Sequence, residues 1–360
     1  FSVRATVLLL NIQFCKIHTS PPVCGSFPDL SALCCHVSLS YYAYPAKMVP
    51  ALSEAVAIVS PWEYFIYEHN SRRAVVQPTE QLPGRLCLKN KYGLTGRGVS
   101  VAVLDTGITP HIDFDRRILV FLDLISGHVH PYDDNGHGSH VAGLIGGSGK
   151  ASGGKYEGVA PECNFVVLKI LDHKGNGRKQ DVLKAIDWVR RMRMKYNIRI
   201  LNISIGTTEQ EKVLHDLLIE AVEEAWDDGL VVVTAAGNLG PGSGTVTAPG
   251  SSRKVITVGS SDLLAGSGGI SGCGPTRDCV CKPDLVAPGK DIISCAPGIS
   301  RREYARKSGT SMSTPQISGA IALALQKAPY LTNVQIKMLL RDSVRDLGLP
   351  HNQQGWGEFD

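Results

Sequence analysis

The chain has 360 residues, 43% of them apolar and 19% charged, with 38 glycines. That excludes a disordered chain and a small disulfide scaffold, and it suits a large buried sheet with many tight turns. The net charge of +4 is too mild to indicate a nucleic-acid or anionic-membrane partner.

The basic run Arg190-Arg191-Met192-Arg193-Met194-Lys195 reads as the solvated end of a helix, where cations favour the dipole. No apolar run approaches the length of a membrane span. The chain begins with Phe1, and the apolar run Ala5–Leu10 is too short for the core of a signal peptide. A cytoplasmic location is expected, or a secreted one if a signal peptide precedes Phe1. The ten cysteines (15, 24, 34, 35, 87, 163, 273, 279, 281 and 295) are irregularly spaced. Cys279-Val280-Cys281 is too close for zinc spacing, so reduced thiols are expected.

In chain order, Arg4–Phe14 and Leu33–Ser40 read as strands. A short helix follows at Ala46–Glu54, then strands at Ala55–Ser60 and Tyr64–Glu68. This predicts a small α+β unit over residues 1–90. Gly93-Leu94-Thr95-Gly96 marks the boundary to a second domain, 91–360. There, continuous apolar strands are predicted at Val99–Leu104, Asn164–Leu171, Ile198–Ile205, Leu230–Ala235 and Lys254–Val258. Helices are predicted at His137–Ile145, Lys179–Tyr196, Glu209–Asp228, Ser311–Lys327 and Thr332–Asp342. The alternation implies an α/β fold, with a mainly parallel sheet covered on both faces.

Four segments carry chemistry. Val101–Leu104 ends in Asp105-Thr106-Gly107, a carboxylate at the end of a strand, where α/β sheets bind ligands. Asp134-Asn135 caps a helix of small residues that opens with His137 between two glycines. Val231–Val233 leads to Ala235-Ala236-Gly237-Asn238, whose amide can donate to an oxyanion. Ser308-Gly309-Thr310-Ser311 opens a helix with Pro315 in its first turn, which puts Ser311 at the positive end of the dipole. Singly, Asp105 reads as a turn former, Asn238 as a turn residue and Ser311 as part of a cap cluster. His140, a second histidine in the same helix, reads as structural.

Together, these segments resemble the subtilisin family (subtilases), whose order is Asp, His, Asn, Ser. Quieter stretches agree: Glu157-Gly158-Val159-Ala160-Pro161, Lys282–Gly289 and Gln354-Gly355-Trp356-Gly357. Within the family, the chain looks most like the intracellular bacterial branch. The resemblance implies a subtilisin-like three-layer α/β fold and a serine endopeptidase with the triad Asp105, His137 and Ser311. It also implies an oxyanion hole from the Asn238 amide and the Ser311 N–H. Peptide substrates would bind as extended strands between Gly175-Asn176-Gly177 and Ser204-Ile205-Gly206, with glycines 175 and 177 leaving room for their side chains. Ala235, Ala236 and Gly237 would form the first specificity pocket, with Leu239 as an apolar rim and a preference for apolar or bulky residues before the cut. The N-terminal unit resembles a propeptide that inhibits its own enzyme.

Some features depart from the family pattern. Cys273 stands where an Arg is common. The run Gly146–Gly154 supplies no carboxylates where related enzymes carry a calcium loop. No cofactor is therefore predicted; calcium is left open, with no metal site assigned. Gly149-Lys150-Ala151 fails as a phosphate loop, and the chain has neither a Gly-x-Ser-x-Gly nor a His-Glu-x-x-His motif. The competing reading is a silent pseudoprotease that serves as a binding or regulatory module.

Overall fold

A computed structural model describes residues 93–207, 212–264 and 268–359. The predicted α+β unit over 1–90 and its boundary lie outside the described residues. Among the described residues eleven strands alternate with six helices: β1 (Ser100–Asp105), β2 (Ile118–Asp123), α1 (His137–Gly146), β3 (Asn164–Lys169), α2 (Lys179–Met192), β4 (Ile198–Ile203), α3 (Lys212–Asp227), β5 (Val231–Ala235), β6 (Ile256–Ser260), β7 (Leu285–Ala287), β8 (Ile292–Cys295), β9 (Tyr304–Lys307), α4 (Thr310–Lys327), α5 (Asn333–Arg341), β10 (Val344–Arg345), α6 (His351–Gln354) and β11 (Glu358–Phe359).

Nine strands form one sheet in the order β10-β11-β7-β6-β5-β4-β1-β3-β2, parallel except at the β10–β11 pair. The strands β1, β5 and β6 are buried along their whole length. That is why they read as unbroken apolar runs: helices cover both faces. Helices α1 and α4 pack together on one side, and α2 and α3 pack together on the other. Helix α4 has almost no exposed face, so its apolar and small residues continue all round it. Strand β2 at the sheet edge is only half-buried, and with the short β7, β10 and β11 it escaped the sequence reading.

Several predicted boundaries move. Helix α2 stops at Met192 rather than Tyr196, because Asn197 turns left-handed (φ 49°) and Ile198 N–H bonds back to Arg193 O. Its basic end is a helix terminus as expected, and Arg190 there pairs with Glu224 and Asp228. Helix α4 starts at Thr310, so Pro315 lies inside it rather than in its opening turn. Only Gly309 can supply the φ of 140° that starts the helix this early. The N-cap of α5 is Thr332, which forms a capping box with Gln335. Cys163, Cys273 and Cys295 are buried free thiols, and Cys279 and Cys281 are exposed ones. Among the described residues no helix is long and apolar enough to cross a membrane.

Strand β1 lies third from one edge of the sheet, between β4 and β3. The chain runs from it outward to β2 and β3, then crosses back to β4 on its other side. The crevice beyond the ends of β1 and β4 is therefore the topological switch point, the usual place for a ligand in such a sheet.

Candidate active site

Asp105 ends β1 and is fully buried. Its Oδ1 accepts the Thr106 N–H at 2.7 Å and lies 2.7 Å from His137 Nδ1. An ionised carboxylate only accepts, so Nδ1 carries the proton and Nε2 is left as the basic nitrogen. His137 is the first residue of α1, and its side chain is 23% exposed. Burial alone pulls the imidazole pKa down. The charge and hydrogen bond of Asp105 outweigh that, and the net shift is upward.

Ser311 is the second residue of α4, where backbone N–H groups have no partner within the helix. Its hydroxyl donates to Ser204 O at 2.7 Å, just beyond β4, so a turn about χ1 is needed to offer that proton to His137. Asn238 is exposed just past β5. Its Oδ1 accepts from Thr310 N at 3.0 Å and from Thr310 Oγ1 at 3.1 Å, which fixes the amide and leaves Nδ2 as the free donor. A Cβ at Gly309 would sit 3.1 Å from that Nδ2.

A groove of about 360 Å³ runs between the two expected substrate edges, with Gly175, Asn176 and Gly177 on one side and Ile205 and Gly206 on the other. Ser204, the remaining residue of the second edge, is buried. One expectation needs correcting. Gly177 does not keep space free for substrate: a Cβ there would lie 2.5 Å from both Ile170 O and Leu171 Cδ2, so its bareness serves the chain's own packing. Ala235 and Ala236 are buried at the end of β5, and Leu239 is 52% exposed.

The subtilase family model matches residues 96–357. The chain belongs to the subtilase family. It is 38% identical to the serine protease AprX of Bacillus subtilis, over 86% of this chain and 73% of that one. It is 36% identical to subtilisin Savinase of Lederbergia lenta, over 71% and 87%. A solved cold-adapted subtilisin-like serine proteinase superposes with a TM-score of 0.60 at 32% identity, covering 74% of this chain and 89% of its own. This subtilase is accordingly a serine endopeptidase, with the subtilisin-like α/β fold that the sequence predicts.

Two buried residues that support the site of this subtilase were missed in the sequence. Asp133 accepts hydrogen bonds from Thr106 Oγ1, Asn135 N, Gly136 N, Ser139 N and Ser139 Oγ at 2.6–3.1 Å. It, rather than Asp134, caps α1, while the Asn135 side chain takes the His137 N–H. Burial would raise the Asp133 pKa, but these donors together hold it below the ordinary value. Lys169 ends β3 directly beside Asp105 and is 0% exposed. Its ammonium donates to Thr106 O at 2.6 Å, Asp134 Oδ1 at 2.7 Å and Leu171 O at 2.9 Å, and lies over the Tyr132 ring. A single charge in an apolar strand, and a second Asp before Asn135, were the available signals.

His140 is structural, as read. Its Nε2 is shared between Ile292 O at 3.0 Å and Ala305 O at 3.1 Å, and it clamps the β8–β9 hairpin to α1. Burial pushes its pKa down to about 4. Among the described residues, one group has metal-ligand chemistry: His111, Asp113 and Cys295. Its atoms are already engaged. His111 bonds Asp113 N and Glu303 O, and the Asp113 carboxylate takes Ala151 N–H and Tyr304 O–H. Cys273 is buried with its thiol on Ser271 O at 3.4 Å.

Proposed function

We propose that this serine endopeptidase works through Asp105, His137 and Ser311 as its triad, with Asn238 Nδ2 and the Ser311 N–H as its oxyanion hole. The observation that carries the reading is the 2.7 Å Asp105–His137 bond, set at a switch point whose opposite wall is the N-terminus of α4. Ser311 Oγ attacks the scissile carbonyl while His137 Nε2 takes its proton. His137 then returns that proton to the leaving amine, and water repeats the cycle on the acyl-enzyme. Asp105 orients the ring and stabilises its charged form. The negative charge that develops on the carbonyl oxygen meets donors already held in place: the Asn238 amide is locked by Thr310, and the helix dipole favours the anion.

The peptide lies extended between the Gly175–Gly177 and Ser204–Gly206 edges. At the far end of the slot between Gly206 and Gly237 stands Thr247: its Oγ1 lies 2.2 Å from a Cβ built on Gly206 and 2.4 Å from one built on Gly237. We read the pocket before the cut as shallow and suited to small or medium apolar side chains, which narrows the sequence expectation of bulky ones. Residues 1–90 act in this reading as an intramolecular inhibitor. The match to AprX extends into this region, since it takes in more of the chain than the residues from 93 onward.

A fluorophosphonate probe tests the assignment. Labelling at Ser311, located by mass spectrometry and lost in Ser311→Ala, is the expected result. No labelling, even after removal of the residues before about Gly93, would return the chain to the pseudoprotease reading.

A further inference from the structure

We propose that Lys307 makes this enzyme select substrates with an acidic residue immediately after the scissile bond, at the first or second position of the leaving fragment. The inference rests on the triad reading above.

Lys307 ends β9, four residues before Ser311. In the hairpin it pairs with Ile292, and Ala305 pairs with Ser294. Alternate residues of a strand share a face. Ser294 Oγ donates to His140 O in α1, so the face that carries Ser294, Ala305 and Lys307 looks toward the helix that begins with His137. The half-buried Lys307 ammonium acts electrostatically on both His137 and His140, pulling each toward the neutral form. It is therefore the cation beside the residue that protonates the leaving group.

That charge has no ion-pair partner among the described residues. Arg301, Arg302, Arg306 and Lys307 all lie on this one hairpin, and among the described residues none of the four forms an ion pair. Elsewhere on the molecule Arg97, Arg178, Arg190, Arg191 and Arg345 each hold a carboxylate. The acid inside the hairpin, Glu303, is bound instead to Ser300 N, Ser300 Oγ and Arg302 N.

The direction of the substrate completes the argument. The residues before the cut occupy the edges beyond β3 and β4. The leaving fragment takes its proton from His137, so it departs on the His137 side, past the end of β9. An Asp or Glu there meets an unpaired ammonium, and a Lys or Arg meets a like charge.

The test uses the full chain and fluorogenic peptides that are identical before the cut and carry Glu, Gln or Lys at the first and second positions after it. At low salt kcat/KM should fall in the order Glu, Gln, Lys, by roughly three- to tenfold from first to last, and the spread should shrink as salt is added. Lys307→Gln should collapse the spread, and Lys307→Glu should reverse it. Equal cleavage of the three peptides, or an acidic preference that survives Lys307→Glu, would overturn the proposal while leaving the protease reading intact. Failure to cleave any peptide, even after removal of the residues before about Gly93, would overturn both.

Discussion

The ammonium of Lys169 joins three stretches of chain around the proposed triad. Thr106 follows Asp105, Asp134 lies three residues before His137, and Leu171 leads toward the substrate edge. Lys169→Met keeps most of the side-chain volume and removes every donor. Two buried carbonyls, Thr106 O and Leu171 O, then lose their partner, at a cost of about 1–3 kcal/mol each. Asp134 is 42% exposed and regains water, so its loss adds little. Relief of a buried charge offsets part of the total, as replacing buried ions by apolar groups often does. The net expectation is a loss of about 3 kcal/mol, which for a domain of this size lowers the unfolding midpoint by roughly 6–12 °C. Near-UV circular dichroism at a fixed scan rate would measure it, in a Ser311→Ala background that prevents self-digestion. A midpoint within about 2 °C of the parent would show that the carbonyls find other donors, and the reasoning from buried hydrogen bonds would be wrong.

Two other expectations are simpler to measure. His140 has a folded-state pKa near 4 against an ordinary value of 6.5, so the unfolded chain binds the proton more readily between them. Its contribution to stability is complete above pH ~6.5 and is lost as the pH falls through ~4, by up to about 3 kcal/mol. His140→Gln should flatten the dependence of unfolding on pH across that window, and an unchanged slope would refute the assignment. Thr247→Gly should deepen the pocket before the cut and raise kcat/KM for Phe relative to Ala at that position by about tenfold or more. An unaltered ratio would mean that Thr247 does not set its depth.

The four segments with Asp105, His137, Asn238 and Ser311 were legible because each is local: a strand end, a glycine turn or the first turn of a helix. Backbone rules act within a few residues, so Gly136 and Gly309 announce their turns in the sequence itself. The buried strands were legible for the same reason, since a strand covered on both faces must be apolar at every position. The half-buried edge strand and the short strands near the C-terminus carry weaker patterns.

Sequence alone determined the family, the α/β fold and the four residues expected to perform the chemistry. Only the tertiary structure decided what holds and tunes them: Asp133 gathering five donors, Lys169 beside Asp105, Thr247 between two glycines and the unpaired Lys307 near His137. Those relations join residues far apart in the chain. They are set by which strand lies beside which and which hairpin rests on which helix, and no local pattern of residues encodes such a distance.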